Sequence, residues 1–215
     1  MSLKPFIACA SVAISCWGAG TFPSTPSTSA PEAAQVQAEY VSPVERTRPL
    51  LNLIARGEGN YNAINRGRAG DTPGGIQWLK GQTFENFTVG QVLQMQRWQV
   101  YAVGRYQFIP STLRWAVNSS EVSELDMFTP ETQDKLALHL IMQKRPAVGS
   151  YIRGEHNQLG WAMNEMAKEW ASIEYRYGRG YYDGIGGNRA HTSRAELSTV
   201  LQEVKAAWQA NNSAS

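Results

Sequence analysis

The chain has 215 residues, of which 42% are hydrophobic and 18% are charged. This composition is typical of a globular rather than a disordered protein, and the length allows one domain of ordinary size with appendages. The 20 Lys and Arg residues against 18 Asp and Glu residues leave a net charge of +2, which does not indicate nucleic-acid binding, because nucleic-acid-binding domains usually carry a clustered basic face. Both cysteines, Cys9 and Cys16, lie near the N-terminus, so a disulfide framework is excluded from the rest of the chain.

Residues 1–20 have the layout of a secretory signal. One basic residue, Lys4, precedes an apolar stretch at residues 6–16, and small residues follow. The stretch is too short to span a membrane comfortably, which takes about 20 apolar residues. Cleavage near Gly20 is one alternative, a lipoprotein signal with a lipid on Cys16 is a second, and a disordered, modestly apolar tail is a third. The pattern predicts a secreted or periplasmic protein whose only membrane contact is this signal or that lipid.

Residues 21–43 are rich in Pro, Ser, Thr and Ala and contain few apolar anchors. Such a segment cannot bury enough surface to offset the entropy of ordering, so we expect a tether. A compact domain is predicted for residues 44–210, followed by a disordered tail at residues 211–215.

The predicted elements of this domain are mostly helical. Residues 49–54 favour a short helix that stops at the glycines near residue 58. Residues 60–87 carry several turn signals and predict loops with a small hairpin rather than helix. Capping residues and apolar periodicity predict further helices, at residues 88–98, 110–117, 129–144, 157–172 and 193–209. The fold class predicted is α+β, mostly helical, with a small β or irregular lobe and no internal repeats.

Two short pieces carry the chemistry. In the first, Ala-Arg-Gly-Glu-Gly-Asn-Tyr, Glu58 ends an apolar helical run between two glycines, which allow backbone or ligand to come close. In the second, residues 102–110, a glycine turn leads to Tyr106, Gln107 and a proline that can open a helix. A glutamate shielded by apolar groups keeps its proton near neutral pH, as an acid that cleaves a glycosidic bond must. The alternatives are a solvated Glu58, a core Tyr106 and a surface Gln107 in a tight loop.

Five motifs in order make the chain resemble the phage-lambda-type endolysins, which are lysozyme-like muramidases that act as lytic transglycosylases. The motifs, spread over about residues 45–210, are Glu-Gly at 58–59, Val-Gly-Arg-Tyr-Gln at 103–107, Thr-Pro-Glu-Thr-Gln-Asp at 129–134, Trp-Ala-Ser at 170–172 and Gly-Arg-Gly-Tyr at 178–181. The chain is also similar to the wider soluble lytic transglycosylases, because Gly104, Gln107 and Pro110 fit their Gly-x-x-Gln-x-x-Pro turn.

This resemblance implies a lysozyme-like fold and assigns roles to individual residues. Glu58 matches the catalytic acid, Tyr106 and Gln107 match substrate-binding cleft residues, and Tyr181 matches the aromatic residue that closes the cleft. Asn62 stands where the family pattern has an aspartate, so it can hydrogen-bond a substrate but cannot act as a base.

The resemblance further implies cleavage of the MurNAc-GlcNAc β-1,4 bond of peptidoglycan with formation of 1,6-anhydromuramic acid, with no cofactor. Hydrolysis would instead need a placed water and usually a second acid, for which Asp71 and Asp183 are the candidates, although both lie in turn-forming sequences. A third reading is a wall-binding protein with an inactive lysozyme fold. The expected partners are peptidoglycan glycan strands at the cell wall, and no His, Cys or Asp spacing typical of a metal site is present.

Overall fold

The computed structural model describes residues 40–212 of the chain. The predicted signal at residues 1–20, the alternative lipid on Cys16, and all but the last residues of the predicted tether lie outside the described residues. None of the described helices combines the length and apolarity needed to cross a bilayer.

Within residues 40–212 the fold contains eight α-helices and four short strands. The helices are α1 Pro43–Glu58, α2 Gly75–Lys80, α3 Val89–Trp98, α4 Pro110–Ser119, α5 Pro130–His139, α6 Pro146–Arg153, α7 Leu159–Ala167 and α8 Arg194–Asn212. The strands form two antiparallel pairs, β1 Ile64–Asn65 with β2 Ala102–Val103 and β3 Glu174–Arg176 with β4 Arg179–Gly180. The predicted fold class, α+β and mostly helical with a small β lobe, is confirmed.

Helix α1 carries Glu58 at its C-terminal end and begins earlier than the sequence predicted. Ser42 caps it by accepting a hydrogen bond from the Glu45 amide at 3.2 Å, and Pro43 occupies the first turn. Pro49, predicted to open the helix, lies inside it instead. The helix therefore begins six residues before the expected start, because two prolines compete for the first-turn position and only Pro43 follows a capping serine.

Helix α1 packs against helix α8 through buried side chains. Its Leu50 and Ile54 are fully buried, and α8 packs its own apolar stripe against it. The apolar periodicity that predicted a helix at residues 193–209 forms this stripe, whose members are buried or partly buried: Leu197, Val200, Leu201, Val204 and Trp208. Trp208 also donates a hydrogen bond from its indole to Thr47 Oγ1 on α1 at 3.1 Å. Helix α1 is thus held against a helix that lies far away in the chain.

The lobe at residues 60–87 is more helical than the sequence predicted. Helix α2 begins at Gly75, where a Cβ atom would lie 2.0 Å from the carbonyl oxygen of Asn62. Glycine is required there by this approach and by a φ of +59°. The Pro-Gly-Gly sequence at the start of α2 is typical of a turn, so the sequence did not predict a helix there. The buried Ile76 packs the helix against the core.

The second half of the domain also differs from the prediction in detail. A π-helix, Leu140–Lys144, continues α5, and α6 follows as a helix that the sequence did not predict. Helix α7 ends at Ala167 rather than at residue 172, and the chain then runs in an irregular segment, residues 168–173, to β3. Helix α8 extends to Asn212, into the expected tail.

Candidate active site

Glu58 lies at the last residue of α1, between two glycines that allow other segments to approach. A Cβ atom on Gly57 would lie 2.5 Å from the Cβ of Ser172, and a Cβ atom on Gly59 would lie 2.7 Å from the Cβ of Ala63. Any larger residue at either position would push these segments away. The prediction that the glycines permit a close approach to Glu58 is confirmed.

The carboxyl of Glu58 is partly withdrawn from solvent and held by a backbone donor. The Ser172 amide donates a hydrogen bond to Glu58 Oε1 at 3.2 Å. Burial raises the pKa of Glu58 above its ordinary value, the hydroxyl and amide of Ser172 oppose this shift, and the charge of Asp71 adds to it while that of His191 opposes it. Because desolvation dominates, the carboxyl keeps its proton to higher pH than a solvated glutamate would.

Gln107 faces the same region from a strained turn. Its φ of +45° lies in the left-handed region, which is uncommon for a residue other than glycine. Its side-chain amide donates to the carbonyl of Gly104 at 2.9 Å, and Nε2 lies 3.7 Å from the position of a Cβ atom on Gly59. The structure therefore brings Gln107 next to the residue that follows Glu58. Backbone strain of this kind clusters at functional sites.

Tyr106 does not lie where the family resemblance placed it. The residue is 2% exposed, its hydroxyl donates to Asp134 Oδ1 at 2.5 Å, and its ring packs edge-on against Phe108. The predicted role of Tyr106 as a substrate-binding cleft residue is corrected, because a side chain buried in this way has no surface to offer a sugar. It is the core tyrosine that the sequence left open as an alternative.

Tyr181 and Asn62, the other predicted binding residues, occupy different settings. Tyr181 is 48% exposed and makes edge-on contacts with Tyr175 and Tyr182, at centroid distances of 5.2 and 5.0 Å. Asn62 uses its side-chain oxygen to accept a hydrogen bond from the Phe84 amide at 2.9 Å. The Tyr181 side chain thus remains accessible to solvent, whereas the side-chain oxygen of Asn62 is already bonded within the lobe.

The two candidate second acids differ in their relation to Glu58. Asp71 is exposed, accepts a hydrogen bond from Asn65 at 2.8 Å, and raises the pKa of Glu58 through its charge. Asp183 lies in the loop after β4, 4.0 Å from the Nε of Arg179, and packs against Gly180. We therefore rank Asp71 above Asp183 as a second carboxylate.

A buried polar cluster beneath the turn joins three elements of the site, and no pattern in the sequence predicted it. Asp134 on α5 is 3% exposed, pairs with Arg48 on α1, and accepts hydrogen bonds from the hydroxyls of Tyr106 and Tyr61. Arg105, beside Tyr106, donates to the Tyr61 hydroxyl at 2.7 Å. The helix that carries Glu58 and the turn that carries Gln107 are therefore tied to the same buried carboxylate.

Ser172 and His191 were also missed as parts of the site. Ser172 appeared in the sequence only as a member of the Trp-Ala-Ser motif, and His191 belonged to none of the five motifs. In the structure the His191 amide donates to the Ser172 carbonyl at 2.7 Å. The hydroxyl of Ser172 is buried without a hydrogen bond of good geometry among the described residues.

The site offers acid–base chemistry centred on one carboxyl. Within residues 40–212, no group of three or more His, Cys, Asp or Glu side chains is arranged to hold a metal ion. A glutamate with a raised pKa beside an amide side chain can protonate a leaving oxygen and afterwards accept a proton as the carboxylate.

Comparison with known proteins assigns a family to this arrangement. The family model described as Endolysin matches residues 48–204, well over half of the chain. Comparisons with curated proteins and with solved structures returned no match. The matched range contains Glu58, Gln107 and Ser172, so the whole candidate site lies inside it. The chain belongs to the endolysin family, and this membership indicates an enzyme that degrades the peptidoglycan of the bacterial cell wall.

Proposed function

We propose that this protein is a bacteriolytic muramidase of the lytic transglycosylase type, with Glu58 as the sole essential acid and base. The observation that carries the proposal is the Glu58 carboxyl itself, which burial keeps protonated to higher pH and which meets the Ser172 amide at 3.2 Å. A lysozyme-like cleft between the small β lobe and the helices would hold the glycan strand.

In the proposed reaction, Glu58 first donates its proton to the glycosidic oxygen between MurNAc and GlcNAc. The C1–O bond breaks, and the acetamido group of the muramyl residue stabilises the cation at C1. The Glu58 carboxylate then takes the proton from the muramyl C6 hydroxyl as that oxygen bonds to C1. The products are a 1,6-anhydromuramyl end and a free GlcNAc hydroxyl; no water is consumed, and Glu58 regains its proton.

The surroundings of Glu58 suit both halves of this cycle. Burial favours the protonated form that the first step needs. The Ser172 amide favours the carboxylate that the second step needs, because an N–H donor stabilises the charged form. In this proposal Gln107 and Tyr181 contact the amino sugars, and Asn62 contributes at the edge of the lobe.

A hydrolytic lysozyme with Asp71 as the second acid is the competing proposal. It is favoured by one observation, the effect of the Asp71 charge on the pKa of Glu58. Asp183 is the weaker candidate for the same role. A wall-binding protein without activity is the alternative outside enzymes, and binding to walls without release of sugar would support it.

Replacement of Glu58 tests the proposal. We expect Glu58→Gln to slow clearing of purified walls by at least about a hundredfold, because general acid–base catalysis contributes that much or more. Glu203→Gln, the same change at an exposed position on α8, is the control and should clear walls at the unchanged rate. Retained activity in Glu58→Gln, with both variants folded by circular dichroism, would refute the assignment.

Delivery to the wall is a separate proposal that rests on the sequence. We propose that residues 1–20 export the protein and that residues 21–41, which precede the Ser42 cap of α1, tether the domain on the wall side of the membrane. The mass of the mature protein would distinguish cleavage near Gly20 from a lipid on Cys16.

A further inference from the structure

A buried ion-pair cluster lies beside the segment that delivers Ser172 to Glu58. The side chain of Glu169 is only 3% exposed. Its Oε1 pairs with Lys144 Nζ at 2.6 Å, and its Oε2 pairs with Arg145 Nε at 2.7 Å. A carboxylate buried to this degree is tolerated because both of its oxygens meet cations. Removal of the Glu169 charge takes the carboxylate partner from Lys144 and one of two carboxylate partners from Arg145.

The same cluster also forms hydrogen bonds with the backbone next to Glu169. Arg145 Nη2 donates to the Lys168 carbonyl oxygen at 2.8 Å, and the Tyr182 hydroxyl donates to that oxygen at 2.8 Å. Arg145 also reaches Glu165 on α7 at 3.1 Å. The start of the segment 168–173 is therefore held from two directions immediately after α7 ends.

The other end of this segment meets Glu58. The Ser172 amide donates to Glu58 Oε1 at 3.2 Å, while the Ser172 carbonyl accepts hydrogen bonds from the amides of His191 at 2.7 Å and Thr192 at 2.9 Å. Trp170, between the two ends, is 3% exposed. Only two residues separate Glu169 from Ser172, so we expect a displacement of the Glu169 backbone to reach the Ser172 amide.

We propose that Glu169 is a positioning residue that, through its pairs with Lys144 and Arg145, aims the Ser172 amide at the carboxyl of Glu58. Any effect of Glu169 on catalysis rests on the proposed function of Glu58. Glu169 acts on the reaction by setting how strongly the carboxylate form of Glu58 is stabilised, and it does not touch the substrate.

The test is a pH titration of Glu58 in the full chain carrying Glu169→Gln. Loss of the N–H donor destabilises the charged carboxylate, so the protonated form persists to higher pH. We expect the Glu58 pKa, followed by carboxyl carbon NMR, to rise by about one pH unit, since two to three such donors lower a carboxyl pKa by about two units. The alkaline limb of the wall-clearing rate should move upward by the same amount. The Glu58 resonance is assigned by its loss in Glu58→Gln.

The matched control is Glu165→Gln, which removes a charge paired with the side chains of Arg145 and Lys168 and leaves in place both pairs of Glu169 and the hydrogen bonds to the Lys168 carbonyl. It should lower the melting temperature and leave the Glu58 pKa unchanged. If Glu169→Gln does not fold, Arg145→Lys serves instead. This change keeps the positive charge but removes the guanidinium N–H group that bonds the Lys168 carbonyl. An unchanged Glu58 pKa in the folded variant, or an equal shift in Glu165→Gln, would overturn the proposal.

This experiment separates the inference from the proposed function. If Glu58→Gln retains wall-clearing activity, the proposed function fails. The NMR titration of Glu58 still decides whether Glu169 aims the Ser172 amide, because it measures the carboxyl directly and needs no substrate.

Discussion

At the scale of single residues, the site depends on the absence of a side chain at the two glycines beside Glu58. Ser172 packs directly against Gly57, so closely that a Cβ atom on Gly57 would overlap the Ser172 side chain. The carboxyl therefore reaches a backbone donor that is 114 positions away in the sequence. Each of these contacts can be tested by a single substitution.

Gly57→Ala should damage the site although alanine favours helices. The added Cβ atom would lie 2.5 Å from the Cβ of Ser172, so α1 and the segment 168–173 must separate and the Glu58 hydrogen bond is lost. We expect wall clearing to fall by tenfold or more. Gly160→Ala is the control, because a Cβ atom there meets nothing within 4 Å, and it should raise stability by up to about 1 kcal/mol in thermal unfolding. Equal activity in the two variants would contradict the close approach.

The raised pKa of Glu58 predicts how stability depends on pH. A carboxyl whose pKa is higher in the folded state contributes its stability below the unfolded value, and this contribution is lost as the pH rises through the folded value. The loss should begin near the ordinary pKa of 4.5. Glu58→Gln does not titrate there, so its melting temperature relative to the unchanged protein should rise between pH 4 and pH 8. A constant difference over this range would argue against a desolvated Glu58.

At the scale of elements, the turn that carries Gln107 is anchored to α1 and α5 by the cluster around Asp134. Gly104 permits this because a Cβ atom there would lie 2.3 Å from Gln133 Oε1, and that oxygen accepts the Arg105 amide at 2.9 Å. The cluster is internal, so its loss should act first on folding and only then on the site.

Tyr106→Phe separates the core role from the expected cleft role. Removal of the hydroxyl takes one donor from the buried Asp134 carboxylate, which should lower the free energy of unfolding by about 1–3 kcal/mol. Denaturant unfolding measures this loss, and KM on soluble glycan fragments should stay unchanged. A higher KM at unchanged stability would restore Tyr106 to the cleft.

Several elements could be predicted from sequence and others could not, for physical reasons. Helix α8 carries an apolar stripe with helical spacing, and its burial against α1 follows from that pattern. Helix α2 begins at a left-handed glycine and α6 at a proline just after a π-helix, so turn signals masked both starts. Glu58 and its glycines were predictable from local sequence. The Ser172 amide was not, because its role depends on tertiary contacts with α1.

At the scale of the whole molecule, the candidate site of the described residues lies inside the range that matches the endolysin family. Wall degradation follows from the family, whereas the type of bond cleavage depends on whether Glu58 works alone. A single-glutamate mechanism releases anhydromuramyl ends without water, and a mechanism with Asp71 adds water to the sugar. These two outcomes differ by one water in the mass of every fragment that carries a newly formed muramyl end.

Mass spectrometry of the fragments released from purified peptidoglycan is the most direct test of the central claim. We predict muropeptides that end in 1,6-anhydromuramic acid and are lighter by one water than the corresponding reducing fragments. Reducing ends that disappear on Asp71→Asn would contradict the single-glutamate mechanism and establish hydrolysis with a second carboxylate.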